Sequence, residues 1–345
     1  MYAAASHEAR LYRAVKQEFA WRGRSRQAWV NWRDAFAPRL RQALGLDVME
    51  SGLAGHRPRA ERLACENGGD HLRESWHLWV EPTVPLPFYL LRPKKSRARH
   101  LPLVLTPHGH NHPHIYVGIA HNEEEAKSIR DGDRDIAVQA VREGYLAIAP
   151  TTRAFGETRT AKDQADNALS SCRTELLHGL LVGRTPIGER VWDISALIDW
   201  ALAEQGADPR RIAITGNSGG GTTSLFAAAC DRRITVAVPS CYFCTFRGSI
   251  GVIHHCDCNY VPGMLRLGEM SDVAGLIAPR PFLAIAGKDD PIFPLSHVRT
   301  AFARLRKIYA AADAAADCEL YVGPGGHRYY REAAWPFIRR HFQTA

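Results

Sequence analysis

The sequence has little cysteine, no long apolar run and no low-complexity tract. Its eight cysteines among 345 residues are too sparse for a scaffold held together by disulfides. No window approaches the roughly 18 apolar residues that a membrane-spanning helix needs. Residues 1–8 hold no apolar stretch of the kind that a signal peptide has. We therefore expect a cytoplasmic protein with no membrane partner.

Charge of one sign is also not concentrated in any segment. The formal net charge is +8, and a basic balance can indicate a nucleic-acid partner. The densest basic runs, at residues 22–26 and 94–99, lie between recognisable elements and are interpreted as solvated loops. We expect no nucleic-acid partner, and the sequence leaves the oligomeric state open.

The first third of the chain predicts helices and then edge strands. Apolar side chains recur at helical spacing through residues 8–47, where Ser25 can cap a second helix and Pro38 is expected to interrupt it. Residues 72–92 contain three prolines among apolar side chains and predict short antiparallel strands at a sheet edge. We expect residues 1–60 to form an N-terminal helical appendage.

From residue 101 onward, short strands of buried type alternate with helices. Strands are predicted at 103–105, 145–149, 211–215, 235–238, 282–286 and 319–322. Helices are predicted near residues 136–141, 191–201 and 333–342, and a further helix follows the strand 211–215 and runs through residue 229. Such alternation predicts the α/β fold class, with a mostly parallel central sheet and helices on both faces. Residues 61–345 are expected to form this domain.

The segment Gly216-Asn217-Ser218-Gly219-Gly220 has the pattern Gly-x-Ser-x-Gly between a predicted strand and a predicted helix. On such a turn, a strained backbone lifts the serine hydroxyl above the sheet, and glycines on both sides avoid collisions. The helix behind it directs backbone N–H groups at developing negative charge. Ser218 is therefore the candidate nucleophile, the alternative being an ordinary glycine-rich turn.

A serine nucleophile needs a base, and the base needs an acid to orient it. Asp289 and Asp290 follow the predicted strand 282–286, and His327 follows the last predicted strand. This order, serine then acid then histidine, is typical of such elbows. An oxyanion hole needs two N–H donors, and we expect the backbone N–H groups of Gly219 and His110 to supply them.

At these residues the chain resembles the α/β-hydrolases grouped as acetyl xylan esterase-like and dienelactone hydrolase-like proteins. The resemblance extends from about residue 84 to the C-terminus. Its motifs are the His-Gly-His-Asn loop at 108–111, the elbow at 216–221, Gly325-Gly326-His327, and the segments 183–188, 208–212, 258–263 and 277–281. It implies the α/β-hydrolase fold and a catalytic triad.

The resemblance also selects one of the two aspartates. It implies Asp290 as the acid rather than Asp289, because the family aspartate directly precedes a Pro-Ile/Val-x-Pro segment. In one loop the chain departs from the family. Many relatives carry Asp-x-Arg-Gly-x-Gly where this chain has Thr-Thr-Arg-Ala-Phe-Gly at residues 151–156, which leaves the packing of that loop in question.

We predict a serine carboxylic ester hydrolase that acts on a small-molecule, short-acyl ester, such as an acetylated carbohydrate, through an acyl-enzyme. No long apolar insertion offers a lipase-type lid, and a long acyl chain needs a large apolar wall. The segment 241–270 is expected to roof the pocket with Phe243, Phe246, Tyr260 and Met264 beside Arg247, His254 and His255, although these aromatic residues would also suit plain packing. A serine peptidase of the same fold and a non-catalytic binding protein stay open as alternatives.

No cofactor and no metal are expected. Cysteines at 241, 244, 256 and 258, near His254 and His255, could bind zinc or form a disulfide. The alternating histidines at 108, 110, 112 and 114 raise the same question. Cys-x-Cys spacing is less usual for such sites, and buried cysteines commonly act as small apolar residues. We therefore expect the cysteines to pack and the histidines to shape the loop and line the pocket.

Overall fold

The computed structural model describes residues 3–95 and 98–344. Ser96 and Arg97, in the basic run at 94–99, lie outside the described residues. Within the described part, nine strands form one sheet in the order β1-β2-β3-β5-β4-β6-β7-β8-β9. The strands are β1 (Ala60–Asn67), β2 (His71–Glu81), β3 (Val84–Pro93), β4 (Leu101–Leu105), β5 (Leu146–Pro150), β6 (Ala207–Asn217), β7 (Val236–Ser240), β8 (Phe282–Gly287) and β9 (Cys318–Gly323).

The sheet is parallel in its larger part and antiparallel at one edge. Strand β4 pairs in parallel with β5 and β6, and parallel pairing continues through β7, β8 and β9. Strands β1, β2, β3 and β5 pair antiparallel. Antiparallel strands near residues 72–92 were expected from the sequence, but their expected edge position is wrong, because β1 lies outside β2 and β3 lies between β2 and β5. The outermost strand β1 was not expected from the sequence, because all but its first residue are exposed and it has no apolar face.

Helices cover both faces of the sheet. Consecutive side chains of β4 alternate between two buried clusters, with Leu103 and Leu105 in one and Val104 in the other. The predicted mostly parallel sheet with helices on both faces is confirmed. The helices are α1 (Ala4–Ala14), α2 (Arg26–Leu44), α3 (Leu46–Gly52), α4 (Glu123–Gly132), α5 (Ile136–Arg142), α6 (Ala161–Ala165), α7 (Cys172–Leu181), α8 (Pro186–Glu204), α9 (Gly219–Cys230), α10 (Met264–Leu267), α11 (Met270–Gly275), α12 (Leu295–Ala311) and α13 (Arg331–Gln343).

The N-terminal helix α2 packs on the same core as the sheet. Its side chains Phe36, Leu40 and Leu44 are fully buried in that core. The Ser25 hydroxyl accepts a hydrogen bond from the backbone N–H of Ala28 at 3.2 Å, as an N-cap does. The expected interruption at Pro38 is wrong, since α2 runs through it. Burial on both sides of the proline offsets the lost helical hydrogen bond. The division at residue 60 stays a prediction.

Among the residues that the structure describes, no helix combines the length and the apolar character that crossing a membrane requires.

Candidate active site

Ser218 lies on a sharp turn between β6 and α9. Its backbone has φ 60° and ψ −119°, a conformation that costs a non-glycine residue energy and is typical of functional sites. A Cβ atom at Gly216 would lie 2.4 Å from the carbonyl oxygen of Pro107, and one at Gly220 would lie 2.1 Å from that same oxygen. Both positions therefore accept only glycine. The elbow holds the half-buried Ser218 at the carboxyl end of β6.

Asp290 and His327 meet at the carboxyl ends of β8 and β9. The Nδ1 atom of His327 lies 2.7 Å from Oδ2 of Asp290. The other carboxylate oxygen accepts backbone N–H bonds from Ile292 at 2.9 Å and Phe293 at 3.2 Å. These bonds orient the carboxylate, which is nearly fully buried. Asp289, by contrast, is exposed to solvent.

The two residues expected to form the oxyanion hole lie side by side. A Cβ atom at Gly219 would lie 3.3 Å from the Gly109 Cα and 3.3 Å from His110 Nδ1. The loop after β4 is therefore packed directly against the start of α9. The loop segment of Gly109 and His110 therefore lies next to the elbow, and the use of the Gly219 and His110 backbone N–H groups as an oxyanion hole stays a prediction.

Ser218, His327 and His110 line one open cavity of about 320 Å³. Arg134 also lines it, and its Nη2 atom donates to the backbone carbonyl of His327 at 3.3 Å. Sequence reasoning missed Arg134, because a single arginine between two predicted helices carries no motif. The remaining lining residues are Ile253, His254, His255, Cys256 and Ile292.

The segment 241–270 does contribute to the cavity wall, but through residues 253–256. The expected aromatic roof is wrong for Phe243, Phe246 and Met264, which are buried in the core. Burial, together with the charges of His110 and His327, lowers the pKa of His255 to about 4. His255 is therefore a neutral imidazole at physiological pH, and it adds a polar, uncharged group to a wall that also carries the Arg134 guanidinium.

The histidines that alternate after β4 separate into different environments. His108 is buried, and its Nε2 accepts the backbone N–H of Thr152 at 2.9 Å while Nδ1 lies 2.7 Å from the carbonyl oxygen of Gly109. Burial lowers its pKa to about 3, so His108 is a neutral structural link beneath the loop. His112 and His114 line a separate cavity of about 380 Å³ beside Trp76 and Tyr89, away from Ser218.

The loop that departs from the family pattern is held by a buried ion pair. Arg153 donates to both carboxylate oxygens of Asp193, at 2.7 and 2.8 Å, and to Glu81 at 2.6 Å. Ala154 has φ 70°, the left-handed region that a glycine adopts more readily. The chain therefore keeps a glycine-type backbone here without the glycine, and Arg153 fixes the loop to α8.

Within the described residues, donor side chains that could hold a metal converge in three places. One combines Cys241 with the Asp290–His327 pair, so it belongs to the candidate active site. A second consists of His114, His121 and Glu125 beside the separate cavity. The third consists of His110, Cys172, Cys256 and Cys258, of which His110 and Cys256 also line the Ser218 cavity.

Comparisons with known proteins agree with this fold. The model of the Prolyl oligopeptidase family matches residues 186–334, which include all three candidate catalytic residues. A curated Bacillus subtilis (strain 168) protein named "Putative hydrolase YtaP" is 27% identical over 292 residues, covering 83% of this chain and 87% of that protein.

Solved structures share the fold at low sequence identity. One described as a "putative acetyl xylan esterase" from Bacteroides fragilis NCTC 9343 has a TM-score of 0.77 at 16% identity, covering 97% of this chain and 84% of the other. A glucuronoyl esterase from Solibacter usitatus has a TM-score of 0.64 at 13% identity, with 96% and 98% covered. The predictions of an α/β-hydrolase fold and of a hydrolytic enzyme are confirmed.

Proposed function

We propose that this chain, a hydrolase of the α/β-hydrolase superfamily, is a serine carboxylic ester hydrolase that cleaves short-acyl esters. One observation carries the proposal. Ser218, on a strained elbow, and His327, paired with Asp290 at 2.7 Å, line the same cavity. A nucleophile, a base and an acid that orients the base are the parts that acyl transfer to serine requires.

In the proposed reaction, the Ser218 hydroxyl attacks the ester carbonyl while His327 Nε2 accepts its proton. Asp290 holds the proton on Nδ1, so that Nε2 is the basic nitrogen. The backbone N–H groups of Gly219 and His110 stabilise the oxyanion. His327 then protonates the departing alcohol, and a water molecule activated by the same histidine releases the acid from the acyl-enzyme. No step uses a metal or cofactor.

The cavity walls support a compact, polar ester as the substrate. Four imidazoles and one guanidinium contribute polar groups, from His110, His254, His255, His327 and Arg134. A volume of about 320 Å³ lies at the lower end of small-molecule sites. Relatives of the same fold include acetyl xylan and glucuronoyl esterases, and we propose an acetylated carbohydrate as the substrate class here. The cytoplasmic location stays a prediction from the sequence.

A series of p-nitrophenyl esters tests this proposal. We expect kcat/KM to be higher for acetate and propionate than for octanoate and longer acyl groups. A preference for long chains would refute the substrate class while leaving the triad standing. Release of acetate from acetylated xylo-oligosaccharides, compared with an acetylated aliphatic alcohol, then tests the carbohydrate preference.

A serine peptidase is the second candidate, because the matching family model is that of the prolyl oligopeptidases. It would use the same three residues on an amide carbonyl. Assay of prolyl p-nitroanilide peptides alongside p-nitrophenyl acetate separates the two. We expect ester cleavage to exceed amide cleavage by several orders of magnitude, and comparable rates would favour the peptidase. Neither activity in folded protein would favour a non-catalytic binding protein.

A further inference from the structure

Three cysteines and one histidine converge at the wall of the Ser218 cavity, from three separate parts of the chain. His110 comes from the loop after β4, Cys172 is the first residue of α7, and Cys256 and Cys258 lie at the start and in the middle of a short 3-10 turn. Their ligating atoms all lie within 4.8 Å of one another. Cys172 and Cys258 are buried, at 2% and 0% exposure. All four cluster residues offer soft or borderline donor atoms of the type that zinc prefers.

We propose that His110, Cys172, Cys256 and Cys258 form a structural zinc site. In a tetrahedral site with Zn–S near 2.3 Å and Zn–N near 2.05 Å, a sulfur and a nitrogen ligand are separated by about 3.6 Å. Cys258 Sγ lies 3.6 Å from His110 Nε2. Four protein ligands leave no open position for substrate or water, which is the arrangement of a structural site and not of a catalytic one.

The charge around the cluster supports the same assignment. Arg190 is buried at 3% exposure, and its Nη2 lies 3.7 Å from Cys172 Sγ. The carboxylate of Glu175 is 3.8 Å from Arg190, within ion-pair distance but too far for a hydrogen bond, so the thiols of the cluster are the closer candidates for its counter-charge. A buried guanidinium always carries its charge and needs an anion nearby. Zn²⁺ with three thiolates and one neutral imidazole carries a net charge of −1, which Arg190 would balance.

A hydrogen-bond donor lies near one sulfur of the cluster, as donors do around the thiolate ligands of metal sites. The side-chain amide nitrogen of Asn259 lies 3.7 Å from Cys258 Sγ, within reach of an N–H···S bond of the kind that orients thiolate ligands. Metal binding would release the three thiol protons, because thiolates are the ligating form. The ion would tie the loop that carries His110 to α7 and to the cavity wall at Cys256.

This proposal replaces the expectation that no metal is bound, and it does not depend on the ester hydrolase assignment. Its test is the metal content of tag-free protein from zinc-replete cells, measured by inductively coupled plasma mass spectrometry. We expect one zinc per chain in the wild type, loss of that zinc in C172S and C258S, and retention in C318S. Cys318 is equally buried but lies on β9, outside the cluster. Full zinc in C258S, or its loss in C318S, would overturn the site.

A measurement on the wild type alone keeps the proposal testable if the variants fail to fold. Titration with a mercurial thiol reagent should release one zinc per chain, detected with a colorimetric chelator, and should lower the melting temperature. Replacement of zinc by Co²⁺ should give thiolate-to-cobalt charge-transfer absorption in the near ultraviolet. Well under one equivalent of zinc, another metal in its place, or a disulfide among these cysteines in protein purified under reducing conditions would each contradict the site.

Discussion

Replacing Asp290 by asparagine changes one group on the side chain that orients His327, the proposed catalytic base. The carboxylate oxygen Oδ1 accepts backbone N–H groups from Ile292 and Phe293, and Oδ2 faces His327 Nδ1 at 2.7 Å. In D290N, the backbone N–H groups of Ile292 and Phe293 still need an oxygen acceptor, so the amide oxygen takes the place of Oδ1. The amide NH₂ must then face Nδ1, which has to accept a hydrogen bond.

The proton of the imidazole is thereby forced onto Nε2, which can no longer take the proton of Ser218. In a serine protease, the equivalent substitution lowers kcat by about 10⁴-fold. That factor corresponds to about 5.4 kcal/mol of transition-state stabilisation. The same loss is expected here, because the tautomer, and not the packing, is what changes.

The assay is kcat and KM for p-nitrophenyl acetate, with thermal unfolding followed by circular dichroism to confirm that the variant folds. D289N is the matched control. Asp289 is exposed and adjacent in sequence, so D289N should retain activity within about twofold, as surface substitutions leave the structure nearly unchanged. Activity of folded D290N within tenfold of the wild type, or a larger loss in D289N, would refute this account of the triad.

Three further predictions concern the structure that holds the site. Because burial lowers the pKa of His108 to about 3 from its ordinary 6.5, the unfolded chain binds a proton that the folded chain does not. The free energy of unfolding should therefore fall as the pH drops below 6.5, with a slope against pH that approaches about 1.4 kcal/mol per pH unit. Urea titrations at several pH values should show a shallower slope of this free energy against pH in H108Q than in the wild type. Equal slopes in the two proteins would contradict the assignment. R153M should lose about 3–5 kcal/mol of stability by leaving Asp193 buried without its cation, while Glu81 keeps its ion pair with Arg184. R130M, which breaks an exposed pair, should lose under about 1 kcal/mol; equal losses in urea denaturation would count against the buried network. G220A should displace the elbow, since its Cβ would lie 2.1 Å from the Pro107 oxygen, and should lower kcat/KM by at least about 100-fold, as a misplacement of about 1 Å can; unchanged kinetics would show that the turn tolerates a side chain.

The sequence predicts the elbow and the base because each is marked locally, whereas the choice of Asp290 over Asp289 as the acid came from the family resemblance. Ser218 is enclosed by glycines whose steric need appears in the pattern itself, and His327 follows a glycine-rich loop after the last strand. The structure brings His327 and Asp290 together because both lie at the carboxyl ends of neighbouring parallel strands. Topology of this kind follows from the alternation of strands and helices.

Features made by distant residues could not be found in that way. Spacing along the chain groups Cys256 and Cys258 with Cys241 and Cys244, which are near in sequence. In the structure their partners are Cys172 and His110, which come from other loops. Cys241 instead lies beside the Asp290–His327 pair. Spacing along the chain reports ligands within one segment only.

Local rules also fail where tertiary contacts are stronger. Pro38 reads as a helix breaker, yet the burial of Phe36 and Leu40 holds α2 together across it. The aromatic residues Phe243 and Phe246 suit a pocket wall by composition. Both side chains are buried in the core instead, because burial of an aromatic ring stabilises the fold by roughly 1.5–3 kcal/mol.

The central claim is that Ser218 is the nucleophile, and covalent labelling tests it most directly. The account predicts that a fluorophosphonate attaches one phosphonyl group per chain, with release of fluoride and parallel loss of esterase activity. Peptide mass spectrometry should locate that group on Ser218, and S218A should take up none. Full activity after treatment, or a label that maps to another residue and persists in S218A, would contradict the account.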